Sequence, residues 1–402
     1  MPIDALANVQ SVIGEYLKSG TVITNRGSAQ SYSSASISPH VDNDRNIHHF
    51  GIHPVVGRER HPGQPLELHE GTFQNQIAIM EPLPESANEE QRAAYERLKF
   101  INEAIGFQVK ALPLHIHDKL LGALSHENTL GLQTLVNTRD SIDTGIGATM
   151  MRASSGTTAM WSPIHEFNSV AVTDSFHTQS KQLKTVTSLI ENNDSEGLLA
   201  FAEDANAFRS EWNDPDQNIE SLEHTLSELE TKSDNTSNST NDRASQLAVP
   251  FAVSIARTMG IRETVSELAG ELKKYGHKYT DLLNSSARDS TLAAKYDPVQ
   301  VSEFLLEERS AVLEGLQAFM SKHETIAHAV EQHADGDIDS KSILQQHIEK
   351  ASRRMADDST PKPRNSTGGH GFDAFTSPVE AHKPDTHQST DTDDAYTDFQ
   401  HS

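Results

Sequence analysis

The polar segment 231–243, TKSDNTSNSTNDR, is the feature that most constrains the fold, because it contains no apolar side chain. The stretches on either side of it carry apolar residues at helical spacing. A segment without apolar residues contributes nothing to a core and is typical of a hinge or an exposed loop. The sequence therefore predicts two helical lobes, 48–230 and 244–354, on either side of a hinge or loop at 231–243.

Helical periodicity dominates the chain from Glu89 onward. In one segment the apolar stripe is formed by Phe176, Leu183, Val186 and Ile190. Ser195 is a suitable N-cap for the following helix, and Gly260 is a suitable stop for the apolar helix after the hinge. The longest periodic pattern covers 299–332 and predicts one continuous helix. The predicted class is mainly α.

The start of the N-terminal lobe has a different character. Pro and Gly recur every few residues through 48–84, which predicts irregular structure with a short strand around Gln76–Met80. Farther along, His115 and His117 alternate with Ile116, as in a strand or a loop.

Both ends of the chain lack the apolar content of a core. Residues 1–47 pass from a short amphipathic segment into a Ser-, Asn- and Gly-rich stretch, which predicts a flexible N-terminal arm. Such an arm either grips a neighbouring subunit or frays. Residues 355–402 are predicted to be an acidic, disordered tail. Within the tail, Tyr396 and Phe399 form either a short binding motif or part of an inert solvating segment.

Cysteine is absent from all 402 residues. Its absence favours a reducing compartment and excludes zinc ribbons, thiol catalysis and iron–sulfur clusters. The N-terminus has no basic segment followed by an apolar block, and no apolar run reaches the roughly 18 residues that a membrane span needs. We therefore expect an intracellular protein without membrane contact.

The net charge of −25 argues against nucleic acid as a partner, because phosphates would be repelled. The basic residues are not evenly spread, however. They outnumber the acidic ones between Arg243 and Lys295, and Lys181 and Lys184 form a second basic spot. Salt screens repulsion from acids more than about 10 Å away. These residues therefore either line a phosphate-binding groove or form a solvated helix face.

No segment carries a complete catalytic motif. His323 and His328 are five residues apart, so their rings point about 140° away from each other, whereas an HExxH zinc motif needs one shared face. Gly145 and Gly147 lack the third glycine of a dinucleotide-binding loop, and 151–163 lacks a GxSxG nucleophile motif. Histidine is frequent, with 21 residues, but no ligand set for zinc is complete. The sequence predicts no enzyme, no metal and no cofactor.

Residues 247–287 combine an apolar–Ser–apolar–Ala run, a Met-Gly pair and a Tyr-x-x-Leu…Ala pattern. These are Val253, Ser254, Ile255 and Ala256; Met259 and Gly260; and Tyr279, Leu282, Leu283 and Ala287. In these residues the segment resembles the C-terminal lobe of nucleoproteins from non-segmented negative-strand RNA viruses. It departs from the paramyxovirus-type pattern because Arg257 and Thr258 separate Ala256 from Met259.

The resemblance implies a nucleoprotein that oligomerises and encapsidates single-stranded RNA, independently of sequence, in a cleft between two helical lobes. The candidate RNA-binding residues are Lys181, Lys184, Arg257, Arg262, Lys273, Lys274, Lys278, Tyr279 and Arg288. The resemblance also implies a viral polymerase or its cofactor as a partner of the C-terminal tail. The expected location is the virion and the host-cell cytoplasm or nucleus.

Other classes of protein fit the same pattern. A capsid or scaffolding protein of a double-stranded RNA virus or a phage shares the helices, the arm and the lack of cysteine. A secreted bacterial effector would be a monomer with a disordered end and a host-protein target. A histidine-rich metalloenzyme is a third alternative.

Overall fold

The computed structural model describes residues 12–14, 16–55, 73–138, 158–212, 240–334 and 337–359. The described residues up to Ser359 belong to one compact unit. Most described residues are helical, which confirms the mainly α class, and a small sheet accompanies the helices. No helix in this part of the chain is long and apolar enough to cross a membrane.

The sheet contains four strands in the spatial order β1-β2-β3-β4. The strands are β1 (Val22–Asn25), β2 (His48–Val55), β3 (Ile77–Met80) and β4 (Gln108–Ala111). β1 runs parallel to β2, β2 antiparallel to β3, and β3 parallel to β4. The position of β3 confirms the strand expected around Gln76–Met80. Because Asn25 lies beside Gly51 in the parallel pair, the residues that follow β1 emerge next to the end of β2.

Two helices lie between strands of the sheet along the chain. α1 (Gln30–Ile37) lies between β1 and β2, and α2 (Glu89–Ile105) lies between β3 and β4. α2 begins at a capping box in which Asn88 and Gln91 exchange side chain–backbone hydrogen bonds, so two otherwise unpaired N–H groups are satisfied. It ends at Gly106, whose φ of 114° favours glycine.

The next helical segment changes its hydrogen-bond pattern along its length. It consists of α3 (Leu114–Leu121), a π-helical stretch (Gly122–His126) and α4 (Glu127–Thr138). Nearly every side chain of α4 is buried. Short π stretches inside α-helices occur frequently at functional sites.

Eight further α-helices lie in the described part of this unit. They are α5 (Thr158–Phe167), α6 (Ser169–Glu191), α7 (Ser195–Ser210), α8 (Thr240–Lys274), α9 (Ser285–Ser290), α10 (Pro298–Glu307), α11 (Arg309–Ala334) and α12 (Ile338–Ser359). The largest apolar cluster brings together α4, α6, α7, α8, α10, α11 and α12. In its centre lies the part of α8 from Leu247 to Ala256.

Helix α8 is longer than the sequence analysis expected. Gly260 was expected to stop it, but the helix continues to Lys274. A Cβ at position 260 would lie 2.6 Å from the Gln179 side-chain oxygen of α6, so glycine permits close helix approach here. Burial of a Leu or Phe side chain contributes roughly 1.5–3 kcal/mol, and such burial along α8 maintains the helix through Pro250.

Other boundaries also differ from the expectation. The N-cap of α7 is Asp194 and not the expected Ser195. The Asp194 side chain accepts a hydrogen bond from the Gly197 N–H. The single helix expected over 299–332 is divided at Glu308 into α10 and α11. His115 and His117 lie on helix α3 and not on a strand or loop.

Part of the segment expected to be a flexible arm belongs to the folded unit. β1 and α1 lie within 1–47, and Ala29 and Ile37 are buried there. At the other end, 355–359 complete α12, and the rest of the predicted tail lies outside the described residues. Residues 213–239, which include most of the predicted hinge, also lie outside the described residues. The arrangement in two lobes stays a prediction.

Candidate active site

A serine and a histidine meet at the edge of the sheet where the parallel strands β1 and β2 end. Ser28 lies three residues after β1, and His53 lies near the end of β2. Their side chains are in contact, with 3.3 Å between Ser28 Oγ and His53 Nε2. Crevices at the carboxyl ends of parallel strands are common ligand sites, so this edge of the sheet is a candidate ligand site.

A chain of hydrogen bonds continues from His53 into helix α3. His53 Nδ1 lies 2.8 Å from His117 Nε2, and His117 Nδ1 lies 2.8 Å from Asp118 Oδ1. The side chains of His53, His117 and Asp118 are all buried. A buried polar network of this kind is favourable only when each member has its partner, and here each one has.

Asp118 is anchored by the backbone of α1. Its two carboxylate oxygens accept the N–H groups of Gln30 at 2.9 Å and Ser31 at 2.8 Å. Burial raises the pKa of Asp118, but the hydrogen bonds from His117 and Ser31 and the His117 charge outweigh burial and leave that pKa below its usual value. Asp118 is therefore an anion that fills the N-terminus of α1.

The anion fixes the direction of the first hydrogen bond in the chain. A carboxylate only accepts, so His117 donates from Nδ1 to Asp118, and the tautomer of His117 with its single proton on Nδ1 accepts at Nε2. His53 must then donate from Nδ1, which leaves the lone pair of His53 Nε2 directed at Ser28 Oγ. Burial, followed by the charges of His117 and His126, lowers the pKa of His53 well below its usual value. His53 is thus a neutral imidazole with an available acceptor nitrogen.

Ser28 is the more exposed partner in its contact with His53. His53 is 9% exposed and His117 is 1% exposed, whereas Ser28 is half-buried and Arg26 is exposed. The acceptor nitrogen of His53 is therefore buried and in contact with a partly exposed hydroxyl.

A second set of buried polar side chains binds the backbone carbonyl of Asp118. The Asn168 amide donates to the Asp118 carbonyl at 3.0 Å and to His126 Nδ1 at 2.8 Å. His165 Nε2 in turn donates to the His126 carbonyl at 3.1 Å. Burial lowers the pKa of both His126 and His165 to about 3. These histidines are neutral and hold α3, the π stretch and α5 together.

Another buried charged cluster lies where the π stretch passes into α4. Arg257 Nη1 donates to Glu127 Oε2 at 2.8 Å and to Asn128 Oδ1 at 2.7 Å. His323 Nε2 lies 3.3 Å from Glu127 Oε1. Arg257 is 1% exposed, so its expected role in RNA binding is wrong: its guanidinium is enclosed among helices and already paired.

The remaining candidate RNA-binding residues do not form one cationic surface in the structure. Lys181 pairs with Glu263 at 2.7 Å, Lys184 with Glu324 at 3.2 Å, and Arg262 with Asp204 at 3.0 Å. Lys181 and Lys184 do line a common surface groove on α6, but acidic side chains neutralise both.

The other candidates lie at or beyond the C-terminal end of α8. Lys273, Lys274 and Lys278 are exposed, and Lys274 pairs with Glu271. Tyr279 stacks on Phe208 at 5.2 Å and donates its hydroxyl to Glu211. Arg288 is half-buried on α9. Tyr279 is therefore already engaged, and Lys273 and Lys278 are the exposed cations of this group that lack a carboxylate partner in the described part of the chain.

Metal binding finds no support among the described residues, where no group of three or more potential ligands is close enough to hold an ion. Two of the histidines, His53 and His117, instead belong to the hydrogen-bonded chain. Of the rejected motifs, 151–157 and both Gly145 and Gly147 lie outside the described residues.

Comparisons with known proteins give little further information. No family model and no curated protein matches the chain. Among solved structures, the chain is similar to a prephenate dehydrogenase from A. aeolicus, crystallised with hydroxyphenyl propionate and NAD+. The two are 18% identical, the match covers 52% of this chain and 74% of that one, and the TM-score is 0.44. Similarity of this degree establishes neither a fold nor an activity for this chain.

Proposed function

We propose that the protein is an enzyme that transfers a proton at a hydroxyl group of its substrate, with His53 as the general base. The observation that carries this proposal is the chain Ser28–His53–His117–Asp118. It ends in a buried anion and leaves one imidazole lone pair directed toward the solvent-facing side. No enzyme was expected from the sequence, because no single segment carries a complete catalytic motif. The members of this chain come from three separate segments.

Chemically, the site can accept a proton and share the resulting charge. A substrate hydroxyl near Ser28 would donate its proton to His53 Nε2. The imidazolium formed there would keep its Nδ1 hydrogen bond to His117, and the charge of Asp118, which raises the pKa of His53, would stabilise it. Removal of the proton makes the substrate oxygen electron-rich and therefore a stronger nucleophile. The substrate class is therefore a small hydroxyl-bearing molecule.

Ser28 is better suited to position the substrate than to act as a nucleophile. A serine nucleophile requires nearby free N–H groups to stabilise the oxyanion. The N–H groups of Gln30 and Ser31, which follow Ser28 at the start of α1, are both occupied by the Asp118 carboxylate. Proton transfer at a substrate hydroxyl therefore fits the geometry better than acyl transfer through Ser28.

Nitrogen-15 NMR of the imidazoles tests the site without knowledge of the substrate. We expect His53 to be neutral at pH 7, with the proton on Nδ1, and Asp118→Asn to abolish this single tautomer. A protonated Nε2 or a cationic His53 in the wild-type protein would contradict the proposal.

In a screen of hydroxyl-bearing compounds, His53→Gln should lower turnover by about 10²- to 10⁴-fold. The exposed His177→Gln should have no effect.

RNA encapsidation is a second proposal, supported by the exposed Lys273, Lys274 and Lys278 near the end of α8. It includes two helical lobes, self-assembly on single-stranded RNA and a polymerase-related partner for the tail. The two proposals differ in what the purified protein contains. A nucleoprotein retains RNA, which raises the 260/280 nm absorbance ratio, and this ratio falls when the three lysines are changed to glutamine.

A further inference from the structure

A second serine–histidine pair lies between helices α6 and α11. Ser180 Oγ is 3.3 Å from His323 Nδ1. At the other nitrogen of the ring, His323 Nε2 is 3.3 Å from Glu127 Oε1, and Arg257 Nη1 donates to the second oxygen of Glu127 at 2.8 Å. The groups follow the order nucleophile, base and orienting carboxylate. None of them belongs to the candidate active site.

The Ser180 hydroxyl differs from other hydroxyls on the same helix. Those of Ser175, Thr178 and Thr185 donate to the backbone carbonyl four residues earlier, at 2.8, 3.1 and 3.0 Å, which is a common arrangement inside helices. Within the described residues, the Ser180 hydroxyl instead has His323 as its hydrogen-bond partner. Its proton is therefore directed at an imidazole and not at its own helix.

The buried carboxylate fixes the direction of the hydrogen bonds in this cluster. Glu127 forms a buried ion pair and its carboxylate only accepts, so His323 donates from Nε2. A neutral His323 with its single proton on Nε2 then accepts from Ser180 at Nδ1. Burial lowers the pKa of His323 and outweighs the Glu127 hydrogen bond and charge, which raise it. The rings of Phe176 and Phe319 lie 4.6 and 5.4 Å from the imidazole and restrict its movement.

Ser180 is accessible to a ligand, whereas its partners are buried. Its side chain is half-buried and lines a surface groove of about 680 Å³ on α6. Small-molecule sites usually have volumes of roughly 300–1,000 Å³. His323 and Glu127 are both buried. A small molecule in the groove can therefore contact the serine, and a base lies within hydrogen-bond reach of that serine. The distance of 3.3 Å is slightly longer than the roughly 2.6–3.2 Å of a nucleophile–base hydrogen bond, which commonly tightens when a substrate binds.

Lys184 supplies N–H donors on the same helix face. It lies one helical turn after Ser180, so the two side chains are neighbours, and both line the groove. The Lys184 ammonium is paired with Glu324 at 3.2 Å, but the two side chains are 62% and 56% exposed. An ion pair this exposed contributes at most about 1 kcal/mol, so an oxyanion formed at Ser180 can take the place of Glu324. The N–H groups next to Ser28, in contrast, are held by a buried carboxylate.

We propose that Ser180, His323 and Glu127 form a second catalytic site, which hydrolyses carboxylic esters bound in the groove on α6. Ser180 Oγ bonds to the acyl carbon and passes its proton to His323 Nδ1. The ester C–O bond breaks, and the leaving alkoxide takes this proton and departs as an alcohol. Water then attacks the acyl group and gives a proton to His323, and the carboxylic acid departs as Ser180 regains that proton. Glu127 orients the imidazole, and Lys184 donates to the oxyanion.

Labelling of the full-length protein with an alkyl fluorophosphonate tests the serine directly. Ser180 Oγ bonds to phosphorus, its proton passes to His323, fluoride leaves, and mass spectrometry locates the adduct. We expect Ser180→Ala to lose the adduct and to lower hydrolysis of para-nitrophenyl acetate by at least about 10²-fold. Ser266→Ala is the matched control and should leave both unchanged, because Ser266 is an exposed helical serine whose hydroxyl donates to the Arg262 carbonyl.

Lys184→Gln separates the chemistry from the fold. Loss of an exposed ion pair should leave thermal unfolding close to that of the wild type. Loss of one oxyanion donor should slow ester hydrolysis by about 10²- to 10³-fold. The proposal would be overturned by an adduct on Ser28 or another residue in place of Ser180, by the absence of any adduct, or by wild-type turnover in either Ser180→Ala or Lys184→Gln.

Discussion

Arg257 illustrates how burial decides the role of a charged residue. Its guanidinium is paired with Glu127 and hydrogen-bonded to Asn128 inside the helical core. Burial raises the pKa of Glu127, but the Arg257 charge and the His323 hydrogen bond outweigh burial, so that pKa lies below its usual value. The pair is therefore ionised, and its main contribution is to keep the glutamate from being an isolated buried charge.

Replacement of Arg257 should consequently affect folding. We expect Arg257→Met to lower the free energy of unfolding by about 3–5 kcal/mol, because Glu127 would lose its principal partner in a buried site. Urea denaturation measures this loss. Adding Glu127→Gln should recover part of it. Arg262→Met is the control on the same helix, since its ion pair with Asp204 is exposed and contributes at most about 1 kcal/mol. Equal losses for the two arginines would contradict this account.

Single residues of the candidate site could be recognised only in part from the sequence. Asp118 and Glu127 stand among leucines such as Leu120, Leu121 and Leu130, and a carboxylate in an apolar stretch is a signal of a buried partner. The identity of the partner is not encoded locally. His53 and His117 are 64 positions apart, and their contact depends on how β2 packs against α3, which periodicity does not reveal.

At the scale of elements, the segment from α3 through the π stretch to α4 connects the two buried polar clusters. His117 and Asp118 lie on α3, and Glu127 begins α4. Gly122, the first residue of the π stretch, touches α6: a Cβ there would lie 2.9 Å from the Ala171 carbonyl oxygen. This contact lies close to Asn168, which holds both Asp118 and His126.

Gly122→Ala should therefore destabilise the protein by about 1–3 kcal/mol, because the added methyl group forces two packed helices apart. Gly270→Ala provides the matched control in α8, where nothing lies within 4 Å of the added Cβ. There the helix should become more stable by about 0.4–1 kcal/mol. Chemical denaturation of both variants checks the contrast. If Gly122→Ala were also stabilising, the close approach of the π stretch to α6 would be refuted.

The existence of most helices followed from apolar periodicity, but their ends did not. The stripe Phe176, Leu183, Val186 and Ile190 is fully buried on α6 as expected. Two helix ends were predicted wrongly, for opposite reasons: a stop at Gly260 and a continuous helix through Glu308. At Gly260, packing against α6 overrides a local stop signal, and at Glu308 the helix divides although the apolar pattern continues.

At the scale of the whole molecule, buried neutral histidines link stability to pH. Burial, the largest cause in each case, lowers the pKa of His126 and His165 to about 3 and that of His347 to about 4. In the unfolded chain these groups titrate near about 6.5. Between these values the unfolded state binds more protons than the folded state, so stability must fall as pH falls.

The fold should thus lose stability steadily from about pH 6.5 down to about pH 4, by about 1.4 kcal/mol per pH unit for each such histidine. Asp118 and Glu127, whose folded pKa values are lowered, add their loss only at more acidic pH. Unfolding free energies measured by urea across this range give the number of protons taken up. His165→Gln keeps a donor for the His126 carbonyl but removes one titrating group, so its slope should fall by about one proton. His177→Gln, at an exposed position, should keep the wild-type slope, and equal slopes in all three proteins would show that His165 does not enter the fold as a neutral group.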